Sequence, residues 1–171
     1  MHNLMTGYQR FRAEVYPQNR ELFRSLDEGQ APETLVVSCS DSRVDLNLVT
    51  HARPGDIFHV RNAGNFVPPP DKAEHGVAAA IEYAVVNLPV RDLVVCGHSD
   101  CGALKAVRAG VHEVSEGHIA QWLRIAAEQQ SDIATLGLDD LIRAHVRRQL
   151  ENLRRYPFVS ERVDAGKLHL W

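Results

Sequence analysis

Leu93-Val94-Val95-Cys96-Gly97-His98-Ser99-Asp100-Cys101-Gly102 is the stretch that decides the fold. Residues 93–97 form a continuously apolar run rich in β-branched side chains, the pattern of a strand buried on both faces. A similar run, Leu35-Val36-Val37-Ser38-Cys39, stands earlier, bounded by Pro32 and a polar cluster. Ile57-Phe58-His59-Val60 follows the turn signal Pro54-Gly55-Asp56 and reads as another strand. Helical patterns cover 77–86 (Ala-rich, ended near Pro89), 103–108, 119–130 and 138–155, and residues 167–171 begin a further strand. Apolar strands alternating with helices indicate an α/β fold, a mostly parallel central sheet of about four strands flanked by helices on both faces. Upstream, residues 8–29 read as an N-terminal helical arm, interrupted at Pro17 and stopped at Gly29. The 171 residues suit a single domain, with an arm at 1–30 and an α/β core at 31–171.

Apolar residues make up 44% and charged residues 24%, the balance of a soluble globular protein. The formal net charge of −3 gives no reason to expect a nucleic acid or an anionic membrane as partner. The basic stretch 141–155 reads as a solvated helix face whose buried side carries Leu141, Ile142, Val146, Leu150 and Leu153. No apolar run approaches the roughly 18–20 residues that span a bilayer. The N-terminus lacks the pattern of a signal peptide, and three cysteines are too few for a disulfide framework. The cytoplasm is the expected compartment.

In parallel α/β sheets, ligands gather beyond the carboxyl ends of the strands. Cys39 ends the first strand, and His98 and Cys101 follow the third. Thiolates and imidazoles bind zinc, and catalytic zinc sites use three protein ligands and keep one position for water. Cys39, His98 and Cys101 therefore form a candidate Cys2His set, with Gly97 and Gly102 allowing tight turns beside it. Cys96, inside the apolar strand, is expected to point into the core. A structural zinc site would need a fourth ligand, and His51, His59 and His75 have no spacing that recommends them. Asp41 stands two residues from Cys39, within reach of the metal, and Arg43 stands where it can hold that carboxylate by paired hydrogen bonds.

Cys39-Ser40-Asp41-Ser42-Arg43 and His98-Ser99-Asp100-Cys101-Gly102 resemble the metal motifs of the β-class carbonic anhydrases. So do Pro54-Gly55-Asp56-Ile57-Phe58, Arg61-Asn62-Ala63-Gly64-Asn65 and Ala80-Ile81-Glu82-Tyr83-Ala84, in the same order and spacing, and the likeness runs from Tyr8 to the last residue. The resemblance implies that Cys39, His98 and Cys101 hold Zn2+ and that Asp41 and Arg43 form the dyad beside it. It implies a substrate pocket at a subunit interface lined by Gln30, Phe58 and Tyr83, with Val44 and the Gly102 N–H as further wall. The implied reaction is the reversible hydration of carbon dioxide to bicarbonate by a zinc-bound hydroxide, in a homodimer or a dimer of dimers. His51, His59, His75 and His118 are the candidate proton relays, and the sequence does not choose among them. Some members of the family ligate zinc with the aspartate as well, a bicarbonate-responsive subgroup of them with a Trp before the first Cys. Val36-Val37-Ser38 stands there instead, which favours the open form. Leu46 replaces a proline common in the family, and the strand begun at residues 167–171 is expected to be a truncated version of a longer one. Two alternatives stay open: hydrolysis of carbonyl sulfide or a related analogue on the same fold, and zinc binding without catalysis.

Overall fold

The earlier apolar run is buried on both sides, Leu35 and Val37 to one and Val36 and Ser38 to the other, so it belongs in the middle of a sheet. The computed structural model, which describes residues 2–72, 76–114, 116–129 and 135–171, places it there as β1 (Thr34–Cys39). His75 and Gln130, expected as a relay candidate and a helix end, lie outside the described residues. β2 (Ile57–Asn62) pairs with one edge of β1 and β3 (Asp92–Cys96) with the other. β4 (His169–Leu170) follows outside β3, giving the order β2-β1-β3-β4 with every pairing parallel. The last strand is only two residues long, and the Trp171 carbonyl still accepts from Val95 N–H at 2.9 Å.

The chain divides into two compact units, Met1–Ala31 and Pro32–Trp171. In the first, α1 (His2–Arg10) runs through a π-helical turn at Phe11–Val15 and a 3-10 turn at Tyr16–Asn19 into α2 (Arg20–Asp27). Pro17 sits in the 3-10 turn, where its missing N–H is tolerated, so the expected interruption is a tightening rather than a gap. Phe11, Tyr16 and Phe23 stack around this bend with ring centroids 5.4 to 6.1 Å apart.

In the second unit, α3 (Leu46–Thr50) lies between β1 and β2, and α4 (Gly76–Asn87) leads to β3. Then come α5 (Gly102–Arg108), α6 (Val111–Val114), α7 (His118–Ala127), α8 (Leu138–Arg154) and α9 (Pro157–Asp164). α3, α6 and α9 are too short or too polar to show a helical period in the sequence. Their ends are nonetheless chemically marked. Asp45 caps α3 by accepting from Leu48 N–H at 3.1 Å, Leu46 is buried at its start, and Pro157 opens α9.

One sheet face carries the main core: Leu35, Val37, Leu93 and Val95 pack with Ile81, Ala84 and Val85 of α4 and with Leu153, Tyr156 and Val159. The other face departs from expectation. Val36, Val94 and Cys96 open on a cavity of about 540 Å³ whose remaining lining includes Leu46 and Val49 of α3. Cys96 is therefore half-buried on the opposite face and does not point into the main core, because strand side chains alternate and Val95 takes the core side. α8 buries Leu141, Ile142 and Leu153 as its apolar period requires, but the same face also buries His145, Gln149 and Asn152.

His145 is 1% exposed, and desolvation pulls its pKa down to about 4. Its folded pKa lies below its unfolded value, so the unfolded chain binds the extra proton first. Acidification from about pH 6.5 toward pH 4 should then remove roughly 3 kcal/mol of stability through this one group. Denaturant melts of the metal-free protein should show that loss in the wild type and a flatter profile over the same window in His145→Gln.

Candidate metal centre

β1 lies between β2 and β3, and the chain leaves it on one side and returns on the other. This is the switch point at which parallel α/β sheets open a crevice at their carboxyl ends. Ser38 is level with Cys96 in the register, so the ends of β1 and β3 finish side by side. Cys39 closes β1. The turn after β3 carries His98 and passes through Asp100 in a left-handed conformation (φ 58°) before Cys101 and α5.

One ligand atom from each of Cys39, His98 and Cys101 lies within 4.8 Å of the others. The donor set fits zinc, being two thiols and one imidazole. A second observation supports the fit: His98 Nε2 is buried without a hydrogen-bond partner, a costly state for a ring nitrogen unless a cation takes its lone pair. Cys39 and Cys101 are buried, and burial raises the Cys101 thiol, with the neighbouring Cys39 adding to the rise. A metal ion would reverse that preference. Backbone N–H groups of Asp41 and Gly64 both donate to Cys39 Sγ at 3.4 Å.

Asp41 and Arg43 meet in a fork. Arg43 Nε donates to Asp41 Oδ1 and Nη2 to Oδ2, each at 2.9 Å, and the Arg43 N–H adds a third bond to Oδ1 at 3.0 Å. These bonds hold the Asp41 carboxyl far below the usual carboxylate range and raise Arg43 in turn, so the pair is ionised at any physiological pH. Arg43 also bonds the Asp100 carboxylate at 3.3 Å and its carbonyl at 3.2 Å, which ties the Cys39 loop to the His98–Cys101 loop. Asp100 is shared with Lys105, whose bond lowers its pKa further. Arg61 completes the frame by donating to the carbonyls of Cys39 at 3.2 Å and Asp41 at 2.9 Å.

Of the other expected site residues, Phe58 and Tyr83 come together, ring centroids 5.9 Å apart and tilted by 40°. Tyr83 is 47% exposed. Val44 ends the turn begun at Asp41, its N–H bonded to that carbonyl at 3.0 Å, and is half-buried. Gly102 starts α5 with open space where a side chain would stand. Gln30 is exposed and belongs to the other unit. His51 and His118 are exposed, whereas His59 is bonded to Ser38 Oγ at 2.7 Å and its pKa is lowered by desolvation. The roles of Asp100, Arg61 and Gly64 were not foreseen. Their residue types are common in loops, and only their partners across the chain reveal them.

Residues 34–171 match the family Carbonic anhydrase. A carbonic anhydrase of Pseudomonas aeruginosa is 42% identical over 99% of this chain and 80% of its own length. The solved β-carbonic anhydrase CcaA is 39% identical with a TM-score of 0.90, covering 99% of this chain and 80% of that one. A structure described as one of two tetrameric β-carbonic anhydrases from Sordaria macrospora is 29% identical with a TM-score of 0.76, covering 99% and 88%.

If the three residues form one metal centre, Cys39→Ala should lose it. Metal analysis after dialysis of zinc-loaded protein should find about one zinc in the wild type and far less than one in the variant, since zinc affinity rests on the full ligand set.

Proposed function

Because the chain belongs to the β-class carbonic anhydrases, we propose that it catalyses the reversible hydration of carbon dioxide to bicarbonate and a proton, with zinc held by Cys39, His98 and Cys101. The observation that carries the reading is the ionised Asp41–Arg43 fork next to these three side chains. Zinc, when bound, supplies the Lewis acidity that activates water. Asp41 is an acceptor only, with Arg43 on both its oxygens, so its remaining lone pairs can accept a hydrogen bond from the reacting water and fix that water's orientation. Arg43 prevents Asp41 from taking up a proton itself. The Asp100 and Lys105 contacts hold Arg43 in place through the cycle.

Phe58 and Tyr83 offer carbon dioxide an apolar surface. Val44 and the Gly102 N–H form the rest of that wall. The exposure of Tyr83 and Val86 on α4 supports a second copy of the chain closing the pocket, in a homodimer or a dimer of dimers. Among the described residues no helix is long and apolar enough to cross a membrane, and all three cysteines are free thiols. Free thiols suit a reducing compartment, which supports the cytoplasm as its location. Of the candidate proton relays, His51 and His118 are exposed and free to exchange with solvent, whereas His59 is held by Ser38.

Stopped-flow assays with carbon dioxide and with carbonyl sulfide, each with and without a chelator, test the reading. The expected result is rapid hydration of carbon dioxide that a chelator abolishes. Asp41→Ala should keep its zinc, because the N–H to Cys39 belongs to the backbone, yet lose on the order of 100-fold or more in kcat/KM. Turnover of carbonyl sulfide alone, or no turnover by zinc-loaded protein, would overturn the assignment, and full activity in Asp41→Ala would overturn the role of the fork.

A further inference from the structure

A fully buried polar chain links α8 to the loop that follows β2. His145 and Gln149 are each 1% exposed and Asn152 is 2% exposed. His145 Nε2 lies 2.9 Å from the Gly64 carbonyl, and Gln149 Nε2 lies 3.2 Å from His145 Nδ1. The Gln149 amide nitrogen can only donate, so Nδ1 carries the lone pair and Nε2 carries the hydrogen that reaches Gly64. Desolvation keeps the ring uncharged, consistent with this tautomer. Gln149 Oε1 accepts from Val67 N–H at 2.8 Å, and Asn152 donates to the Val67 carbonyl at 2.8 Å. Trp122 Nε1 donates to the Ala63 carbonyl at 2.8 Å, and the Phe66 ring stands edge-on to His145 with centroids 4.5 Å apart.

All these bonds converge on one loop, and the loop performs one visible task. Gly64 offers its carbonyl to His145 and its N–H to Cys39 Sγ. It does so at φ 88°, where a Cβ would stand 2.6 Å from the Phe66 ring and 3.0 Å from Ala103 Cβ, so the turn admits only glycine. A hydrophobic side chain at 145 would fill the same volume without the cost of burying an imidazole. What it could not do is hold the Gly64 carbonyl on one side of a residue whose N–H, in the peptide that Trp122 holds through the Ala63 carbonyl, is aimed at the thiolate.

We propose that His145, oriented by Gln149, is a positioning residue for the metal centre: through Gly64 it holds the N–H that supports the Cys39 thiolate, and so sets how firmly the metal is retained and how strongly that thiolate donates. The inference rests on the reading of Cys39, His98 and Cys101 as metal ligands. Groups that orient metal ligands from behind are worth on the order of 10–100-fold in metal affinity.

The test uses the whole protein loaded with cobalt(II), with three readouts: stoichiometry, the near-ultraviolet thiolate-to-cobalt charge-transfer band, and the rate of metal loss to a chelator. Wild type should bind one cobalt. His145→Phe keeps a ring of similar volume but no donor. It should still bind one cobalt, with a displaced charge-transfer band and metal loss about 10-fold faster or more. His145→Gln, whose amide N–H can reach the same carbonyl, should restore both. A role in packing alone would not move the band. If His145→Phe does not fold, Gln149→Met serves in its place, since it removes the bond that orients the ring, and the same criteria apply. A folded variant with the wild-type band and release rate overturns the inference while the metal reading stands. Wild-type protein that takes up no cobalt overturns the metal reading and the inference with it.

Discussion

A ring nitrogen buried without a partner beside two buried thiols is an arrangement that a protein tolerates only for a cation. His98, Cys39 and Cys101 impose it on the carboxyl end of the sheet, and the surrounding structure serves to sustain it. β1 must sit centrally so that its end is level with that of β3. The turn after β3 must pass through a left-handed residue to bring His98 and Cys101 to the same point. The small cluster of Phe66, Leu104, Leu123 and Leu141 then seals Cys39 and Cys101 from below.

Charge is arranged around this centre in alternation. Asp41 faces Arg43, Arg43 faces Asp100, and Asp100 faces Lys105. Each cation keeps its neighbouring carboxylates ionised, so Asp41 remains an acceptor under all conditions in which the protein works. Exposed ion pairs contribute little to stability, and Arg43 and Asp100 are more than half exposed. The fork is better understood as a device for orientation: three hydrogen bonds on one carboxylate leave it few ways to turn.

The strands were legible because each depends on local pattern, and the grouping of Cys39 with His98 and Cys101 followed from the strand order. A run such as Leu93-Val94-Val95 has few alternatives to a buried strand, and His98-x-x-Cys101 at its end carries its own chemistry. The Asp41–Arg43 fork was legible for the same reason, its partners being two residues apart. What the sequence concealed depends on contacts between distant segments. Asp100 and Arg61 brace the site through partners more than a strand away. His145, Gln149 and Asn152 are polar residues on a helix whose outer face is basic, so they read as solvated although the fold buries them. Their spacing with Leu141 and Leu153 was the one available signal. Cys96 was assigned to the core from the apolarity of its strand, and the alternation of side chains placed it on the opposite, more open face.

Gly64 shows why the site and its support form a single problem. A residue without a side chain gives one backbone group to Cys39 and the other to a buried helix, and neither link is visible along the chain. The account stands on the identity of the atoms at the centre. Zinc K-edge X-ray absorption of the loaded protein measures them directly. Two sulfur neighbours at about 2.3 Å and one imidazole nitrogen at about 2.0–2.1 Å, with the fourth position taken by oxygen, are expected for Cys39, Cys101 and His98. A spectrum with one sulfur or none in the inner coordination would contradict it.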